Sequence, residues 1–223
     1  MNFIRYDSVQ LKKFDLYRDD SGSTRYYVNS EGKKYLSVTS FVSKFSDNKA
    51  EIEKWKQSIG EEEAHKVLVA AGTRGTAIHL ACENLLLNKD WSDISMFYKQ
   101  DFIAMKKHLE SHVDNVFALE HQMYSDALGL AGTVDCIAEY DGEMCIIDFK
   151  TSSRLKYRNE INTYFLQCAA YGIMVYERYK IKISNIVILM VVEGQPNVEV
   201  FVEPLIKWGK ELLKLKKEYN ENE

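Results

Sequence analysis

Apolar positions recur along this chain with two periods, one near 3.6 residues and one of two. Between Thr73 and Asn88, Ile78, Ala81, Cys82, Leu85 and Leu86 fall three and four residues apart, on one face of a helix. Similar stripes run through Ile52, Trp55 and Ile59, through Ile94, Phe97, Phe102, Met105 and Leu109, and through Leu205, Trp208, Leu212, Leu215 and Tyr219. They predict helices from a candidate N-cap at Asp47 to Gly60, from Ser92 or Asp93 to His112, and from Glu203 to Tyr219. Further helices are expected at Val38 to Phe45 behind Ser37, at Ala64 to Ala71 with a break at Gly72, and at Asn159 to Tyr179. Strands are expected at Phe14 to Tyr17, Tyr26 to Val28, Val116 to Tyr124, Asn185 to Val192 and Val198 to Val202.

The most informative stretch is Gly132 to Thr151, GTVDCIAEYDGEMCIIDFKT. Asp141-Gly142 between two apolar-rich runs signals a two-residue hairpin turn, in which both residues take φ > 0. In that register Tyr140 faces Glu143, Ile137 faces Ile146, and Asp135 faces Asp148. Opposed side chains sit ~5 Å apart. Two carboxylates that close need a cation or a proton between them. Lys150 is two residues past Asp148 and shares its face. Acids gathered beside an ammonium suit metal-assisted phosphodiester hydrolysis: a carboxylate-held Mg²⁺ activates water and screens phosphate charge. A surface hairpin with solvated acids is the plainer alternative. Ile146, Ile147 and Phe149 around Asp148 make the strand look buried, which favours the metal site.

Composition narrows the classes. The 223 residues suffice for one domain, with 46% apolar content and a net charge of −4 that speaks against a general nucleic-acid coat. No apolar run reaches membrane-spanning length, and the N-terminal stretch lacks the apolar core of a secretory signal. The cysteines at 82, 136, 145 and 168 are scattered, which indicates neither zinc nor an iron–sulfur cluster and suggests reduced thiols. No phosphate-loop motif is present, so no ATP motor is expected. His108, His112 and His121 form no metal pattern and are read as surface residues.

Asp135, a gap, and then Asp-Phe-Lys at 148–150 resemble the motif of the PD-(D/E)XK nucleases, and Gln167-x-x-x-Tyr171 resembles the added motif of their RecB-like exonuclease branch. YLSVTS, GTRGTAIH, GTVDC, DFKTS and QCAAY follow in the order seen in mitochondrial genome-maintenance exonucleases and their bacteriophage relatives, over Tyr35 to about Tyr179. The proline of the motif's name is absent, with Thr133-Val134 before Asp135. The resemblance implies that His79 joins the metal ligands, that Glu120 helps directly or through water, and that Gln167 and Tyr171 hold DNA. Without it, His79 would read as structural, Glu120 as a surface acid, and Gln167 with Tyr171 as a buried hydrogen-bonded pair.

The expected fold is α/β: a mixed central sheet flanked by helices, restriction-endonuclease-like, with a helical N-terminal region over the active-site cleft. One nuclease domain spans 1–223, divided into N-terminal strands and turns (1–36), a helical region (37–113) and the sheet-containing core (114–223). The expected function is an Mg²⁺- or Mn²⁺-dependent DNA exonuclease preferring single-stranded ends. Asp135, Asp148, His79 and the Phe149 carbonyl would hold metal, and Lys150 would assist the water. Glu83, four residues from His79, would position it or a metal-bound water. Arg74 at a helix start and Arg154 and Lys156 in the loop after Lys150 would contact phosphate, unless they are merely solvated. Trp55 is core or, less readily, a base-stacking residue. A structure-specific endonuclease and a non-catalytic DNA-binding or assembly subunit are the alternatives. No membrane partner is expected, and the resemblance places the chain in the cytoplasm of a bacterial or phage-infected cell.

Overall fold

The computed structural model describes residues 2–4, 11–46 and 49–221, so the expected cap at Asp47 lies outside the described residues. Eight strands form one mixed sheet: β1 (Leu16–Asp19), β2 (Tyr26–Asn29), β3 (Lys34–Ser37), β4 (Val113–Ser125), β5 (Leu130–Tyr140), β6 (Glu143–Ser152), β7 (Asn185–Val192) and β8 (Val198–Pro204). The path runs β1-β2-β3-β5-β6-β7-β8, with β4 also paired to β5. The N-terminal strands are therefore part of the main sheet, joined through the parallel β3–β5 contact.

The hairpin forms in the expected register. Tyr140 pairs with Glu143 and Ile137 with Ile146, across a turn in which Asp141 (φ 50) and Gly142 (φ 79) both take left-handed conformations. Strand β7 is apolar on both faces, as an interior strand must be, between parallel β6 and antiparallel β8.

Among the described residues, the two larger of three buried apolar clusters follow from strand alternation. Ile146, Ile188 and Met190 pack against α5 (Asn162–Tyr179), α6 (Leu205–Glu221) and α1 (Val38–Ser43). Ile147, Phe149 and Leu189 pack on the other side against α3 (Glu61–Leu86) and α4 (Met96–His112). Ser37 caps α1 by accepting the Ser40 N–H at 3.0 Å. Helix α2 (Lys49–Ile59) packs against α3.

Helix α3 departs from expectation: it runs unbroken through Gly72. An interior glycine costs only ~1 kcal/mol against alanine, and five buried residues between Ile78 and Leu86 hold the helix on the sheet. Helix α4 starts later than expected, behind Ser95, and Phe97 is 85% exposed, outside the stripe formed by Phe102, Met105 and Leu109. His121 is buried and bonded to the Tyr179 hydroxyl at 2.8 Å, and His108 meets the Tyr140 hydroxyl at 2.8 Å, so neither is a free surface histidine.

Candidate active site

The ladder between β5 and β6 ends at Cys136 opposite Ile147. Further along the same edge of β5, β3 takes over at Ala131 and Leu130, while β4 occupies the opposite edge. Between these pairings, residues 132–135 border a recess of about 420 Å³ instead of a strand. Phe149 donates its backbone N–H to Asp135 Oδ2 at 2.9 Å, so a carboxylate takes the place of the next ladder acceptor. Gly132 lies beneath the Tyr171 hydroxyl; a Cβ there would sit 2.8 Å from that oxygen.

Two elements converge on Asp135. Helix α3 brings His79 Nδ1 to 3.5 Å from Asp135 Oδ2. Strand β4 brings Glu120 opposite Asp135, after register shifts between Val113 and Ala118. Glu120 has φ 44, a conformation that costs a non-glycine residue roughly 1–3 kcal/mol. His79, Glu120 and Asp135 each offer a ligand atom, and these atoms lie within 4.8 Å of one another. Glu120 reaches solvent at the rim, yet partial burial, followed by the charges of Asp135, Glu83 and Asp148, pushes its pKa up to about 7. Like charges gathered without compensation, in a set of one imidazole and oxygen donors, fit a hard divalent cation.

Asp148 is not part of that trio, and both of its oxygens have partners. Oδ2 is paired with the Lys150 ammonium, and Oδ1 accepts from Gln167 Nε2 at 3.1 Å. Burial raises the Asp148 carboxyl above its usual range; the Lys150 charge opposes that shift and the Asp135 charge adds to it. Burial also works against the Lys150 ammonium, but the carboxylates of Asp148 and then Asp135 outweigh it and raise its pKa. Lys150 is therefore a cation at neutral pH. Its Nζ lies 5.0 Å from the centre of the Tyr164 ring, an aromatic contact on α5 that the sequence did not single out.

Other expected site residues fall differently. Arg74 is in the middle of α3, not at a helix start, and is buried: Nε donates to Asp101 at 2.9 Å and Nη1 to the Ser152 carbonyl at 2.9 Å. It ties α3 to α4 and to the end of β6, away from the recess. Arg154 is exposed but paired with Glu160, and Lys156 donates to the Tyr164 hydroxyl at 3.3 Å. No hydrogen bond joins Glu83 to His79 among the described residues; Glu83 acts on Glu120 by its charge. Gln167 and Tyr171 both line the recess, but Gln167 is bonded to Asp148 instead of Tyr171, and Tyr171 is buried. Trp55 is half-buried on α2 and absent from the recess walls. Arg18 and Arg25 do line the recess; they lie more than ninety positions before Glu120, and no local pattern marks them.

Comparison with known proteins covers most of this assembly. A family model for the PD-(D/E)XK nuclease superfamily matches residues 62–200, well over half of the chain. The Mitochondrial genome maintenance exonuclease 1 of Homo sapiens is 30% identical over 186 residues, covering 76% of this chain and 53% of that protein. Its Xenopus tropicalis counterpart is 29% identical over 181 residues, covering 74% and 51%. The chain thus spans about half the length of these curated relatives. A solved structure described as a candidate exonuclease from Eubacterium rectale overlays with a TM-score of 0.48 at 12% identity, over 66% of this chain and 63% of that one.

Proposed function

The chain belongs to the PD-(D/E)XK nuclease superfamily, and so to the phosphodiester hydrolases, and we propose that it is a divalent-metal-dependent DNA exonuclease preferring single-stranded ends, folded as one domain over 1–223. The observation that carries this reading is the convergence of His79, Glu120 and Asp135 beside the Asp148–Lys150 pair at the edge of an open recess.

In this reading His79, Asp135 and the Phe149 carbonyl would hold Mg²⁺ or Mn²⁺, with Glu120 as a further carboxylate, and Asp148 would join them where the cation competes with Lys150 for its Oδ2. The bound cation lowers the pKa of a water and offsets phosphate charge. The chain supplies the rest. The Phe149 N–H fixes one oxygen of Asp135, and the Gln167 amide fixes one oxygen of Asp148. Lys150, held cationic between carboxylates, faces the charge that develops on phosphorus oxygens as the water attacks. Tyr171 presents its hydroxyl over Gly132 in the recess wall, where a DNA strand would pass. Arg154 and Lys156 are exposed or half-exposed on the loop after β6 and can exchange their present partners for backbone phosphates.

Among the described residues no helix is long and apolar enough to cross a membrane. The reading includes no membrane partner and a bacterial or phage-infected cytoplasm; the relatives' printed name is mitochondrial, and fractionation of cells producing a tagged chain decides between compartments.

End-labelled linear and circular single strands, with and without Mg²⁺ or Mn²⁺, test the activity. Loss of linear label that needs metal and is absent in Asp148→Ala supports an exonuclease. Cutting of the circle makes it an endonuclease. Binding without any metal-dependent cleavage makes it a non-catalytic subunit.

A further inference from the structure

The recess is lined by basic side chains as well as acidic ones. Arg18 on β1 and Arg25 just before β2 both line it, with His79, Glu120, Asp135 and Lys150. Asp20, in the connection between the two arginines, joins them: Arg18 Nε donates to Oδ2 and Arg25 Nε to Oδ1, each at 2.6 Å. One carboxylate thereby holds two guanidiniums side by side through their Nε groups. Among the described residues no hydrogen bond uses a terminal Nη of either arginine. The positions are also anchored. Arg18 pairs with Tyr27 across the β1–β2 ladder, on one face of the hairpin, and the Tyr27 hydroxyl lies 3.4 Å from Thr133 Oγ1 at the recess floor. Arg25 donates its backbone N–H to Ser40 Oγ at 3.2 Å and accepts from Ser37 N at 3.0 Å, which seats it against α1.

We propose that Arg18 and Arg25, braced by Asp20, form a phosphate-binding subsite for the nucleic-acid strand whose scissile bond lies at the acidic side chains. This inference deepens the nuclease reading and rests on it. Two guanidiniums with open Nη groups match the planar, multidentate geometry of a phosphate oxyanion. One carboxylate against two guanidiniums leaves a net positive charge on this triad. A strand entering the recess would place one phosphate at the carboxylates that would hold the cation and another at the arginines, where the contact would be direct. The subsite reads backbone charge, not base identity. Both arginines lie outside residues 62–200, the stretch that the nuclease family model matches.

The test compares the 223-residue wild-type chain with the double variant Arg18→Gln/Arg25→Gln and with Arg18→Lys/Arg25→Lys. The probe is a short single-stranded oligothymidylate, titrated by fluorescence anisotropy without divalent metal over a range of salt. The Gln double variant should bind about tenfold more weakly at moderate salt, with a log–log salt slope shallower by roughly 0.7 for each phosphate it no longer neutralises. The Lys pair should recover much of the slope and only part of the affinity. In Mn²⁺ the Gln variant should show a raised KM with its saturated rate kept, and Mn²⁺ binding measured without DNA should be unchanged. Oligonucleotides with hydroxyl ends, a 5′ phosphate or a 3′ phosphate separate the sources: a uniform loss assigns an internal diester, and a loss confined to one phosphorylated end assigns a terminal monoester. Unchanged affinity and slope in a folded Gln variant would reduce the triad to a brace for the hairpin and overturn the proposal, while the nuclease reading stands on wild-type cleavage. A wild type that neither binds nor cleaves overturns that reading first.

Discussion

The Gln167 side-chain amide donates to Asp148 Oδ1 at 3.1 Å, across the packing of α5 against β6. Oδ2 of the same carboxylate faces Lys150. A buried carboxylate with both oxygens engaged has little rotational freedom, so Gln167 sets the direction in which Asp148 presents its charge.

Gln167 is thus a positioning residue for Asp148, and Gln167→Ala should act on turnover more than on DNA affinity. Removing a hydrogen bond to a charged group costs ~1.5–3 kcal/mol. If that loss falls on the transition state, kcat drops by about ten- to a hundredfold. KM for a single-stranded substrate should stay within about a factor of two, as expected when the deleted interaction serves the transition state alone. Steady-state kinetics in Mn²⁺ check this. A raised KM with kcat intact would return Gln167 to direct DNA contact.

Arg74 should behave in the opposite way. Its guanidinium joins α3 to Asp101 on α4 and to the Ser152 carbonyl at the end of β6. Arg74→Ala leaves Asp101 without its cation in a largely enclosed setting, a change that costs about 3 kcal/mol or more. Urea unfolding should show a lower midpoint with little change in slope. The salt dependence of oligonucleotide binding should match wild type. A shallower salt slope with stability intact would make Arg74 a phosphate contact after all.

What the sequence disclosed and what it hid divide by distance along the chain. The Asp141-Gly142 turn is a local rule, and the register out to Cys136 opposite Ile147, one residue short of Asp135 and Asp148, follows from counting outwards from it. His79 became visible only through a family motif, because no local spacing links a helix at 61–86 to a strand at 130–140. Gly72 misled, since a local propensity of about 1 kcal/mol lost to the packing of a whole helix face. Arg74 misled for a related reason: once α3 is continuous, no helix start exists there. The partner of Gln167 was hidden because α5 had to be docked on β6 before its target could be seen. Arg18 and Arg25 were hidden because the β3–β5 pairing, a contact between residues 36–37 and 130–131, is what carries the hairpin to the site.

Lys150→Ala should lose cleavage by orders of magnitude while still binding Mn²⁺ and a single-stranded oligonucleotide. The ammonium is kept charged by Asp148 and Asp135, so it serves as a fixed positive charge and does not accept a proton from water at neutral pH. Its effect is concentrated where negative charge develops. Arg154→Ala or Lys156→Ala should instead weaken binding at moderate salt and recover turnover at high substrate. Paired binding titrations and single-turnover cleavage distinguish these behaviours. A Lys150→Ala enzyme that loses binding but keeps its saturated cleavage rate would make the lysine a backbone clamp.

Glu120 should couple metal binding to pH. Its folded-state pKa, about 7, lies above the 4.5 of an unperturbed glutamate, with burial the largest cause and the charges of Asp135, Glu83 and Asp148 adding to it. Between those values the folded protein holds a proton that the unfolded chain has released. Stability therefore falls as pH rises from about 4.5 towards 7, and the penalty is fully present above that. A divalent cation among His79, Glu120 and Asp135 removes the repulsion and competes with the proton. The rise in melting temperature on adding Mn²⁺ should be larger at pH 8 than at pH 6. Glu120→Gln should raise the metal-free melting temperature at pH 8, flatten its dependence on pH through the neutral range, and shrink the Mn²⁺ response. Differential scanning fluorimetry of both proteins at the two pH values, with and without Mn²⁺, makes the comparison. An equal Mn²⁺ shift at pH 6 and pH 8 in the wild type, unchanged by Glu120→Gln, would place the cation away from this carboxylate.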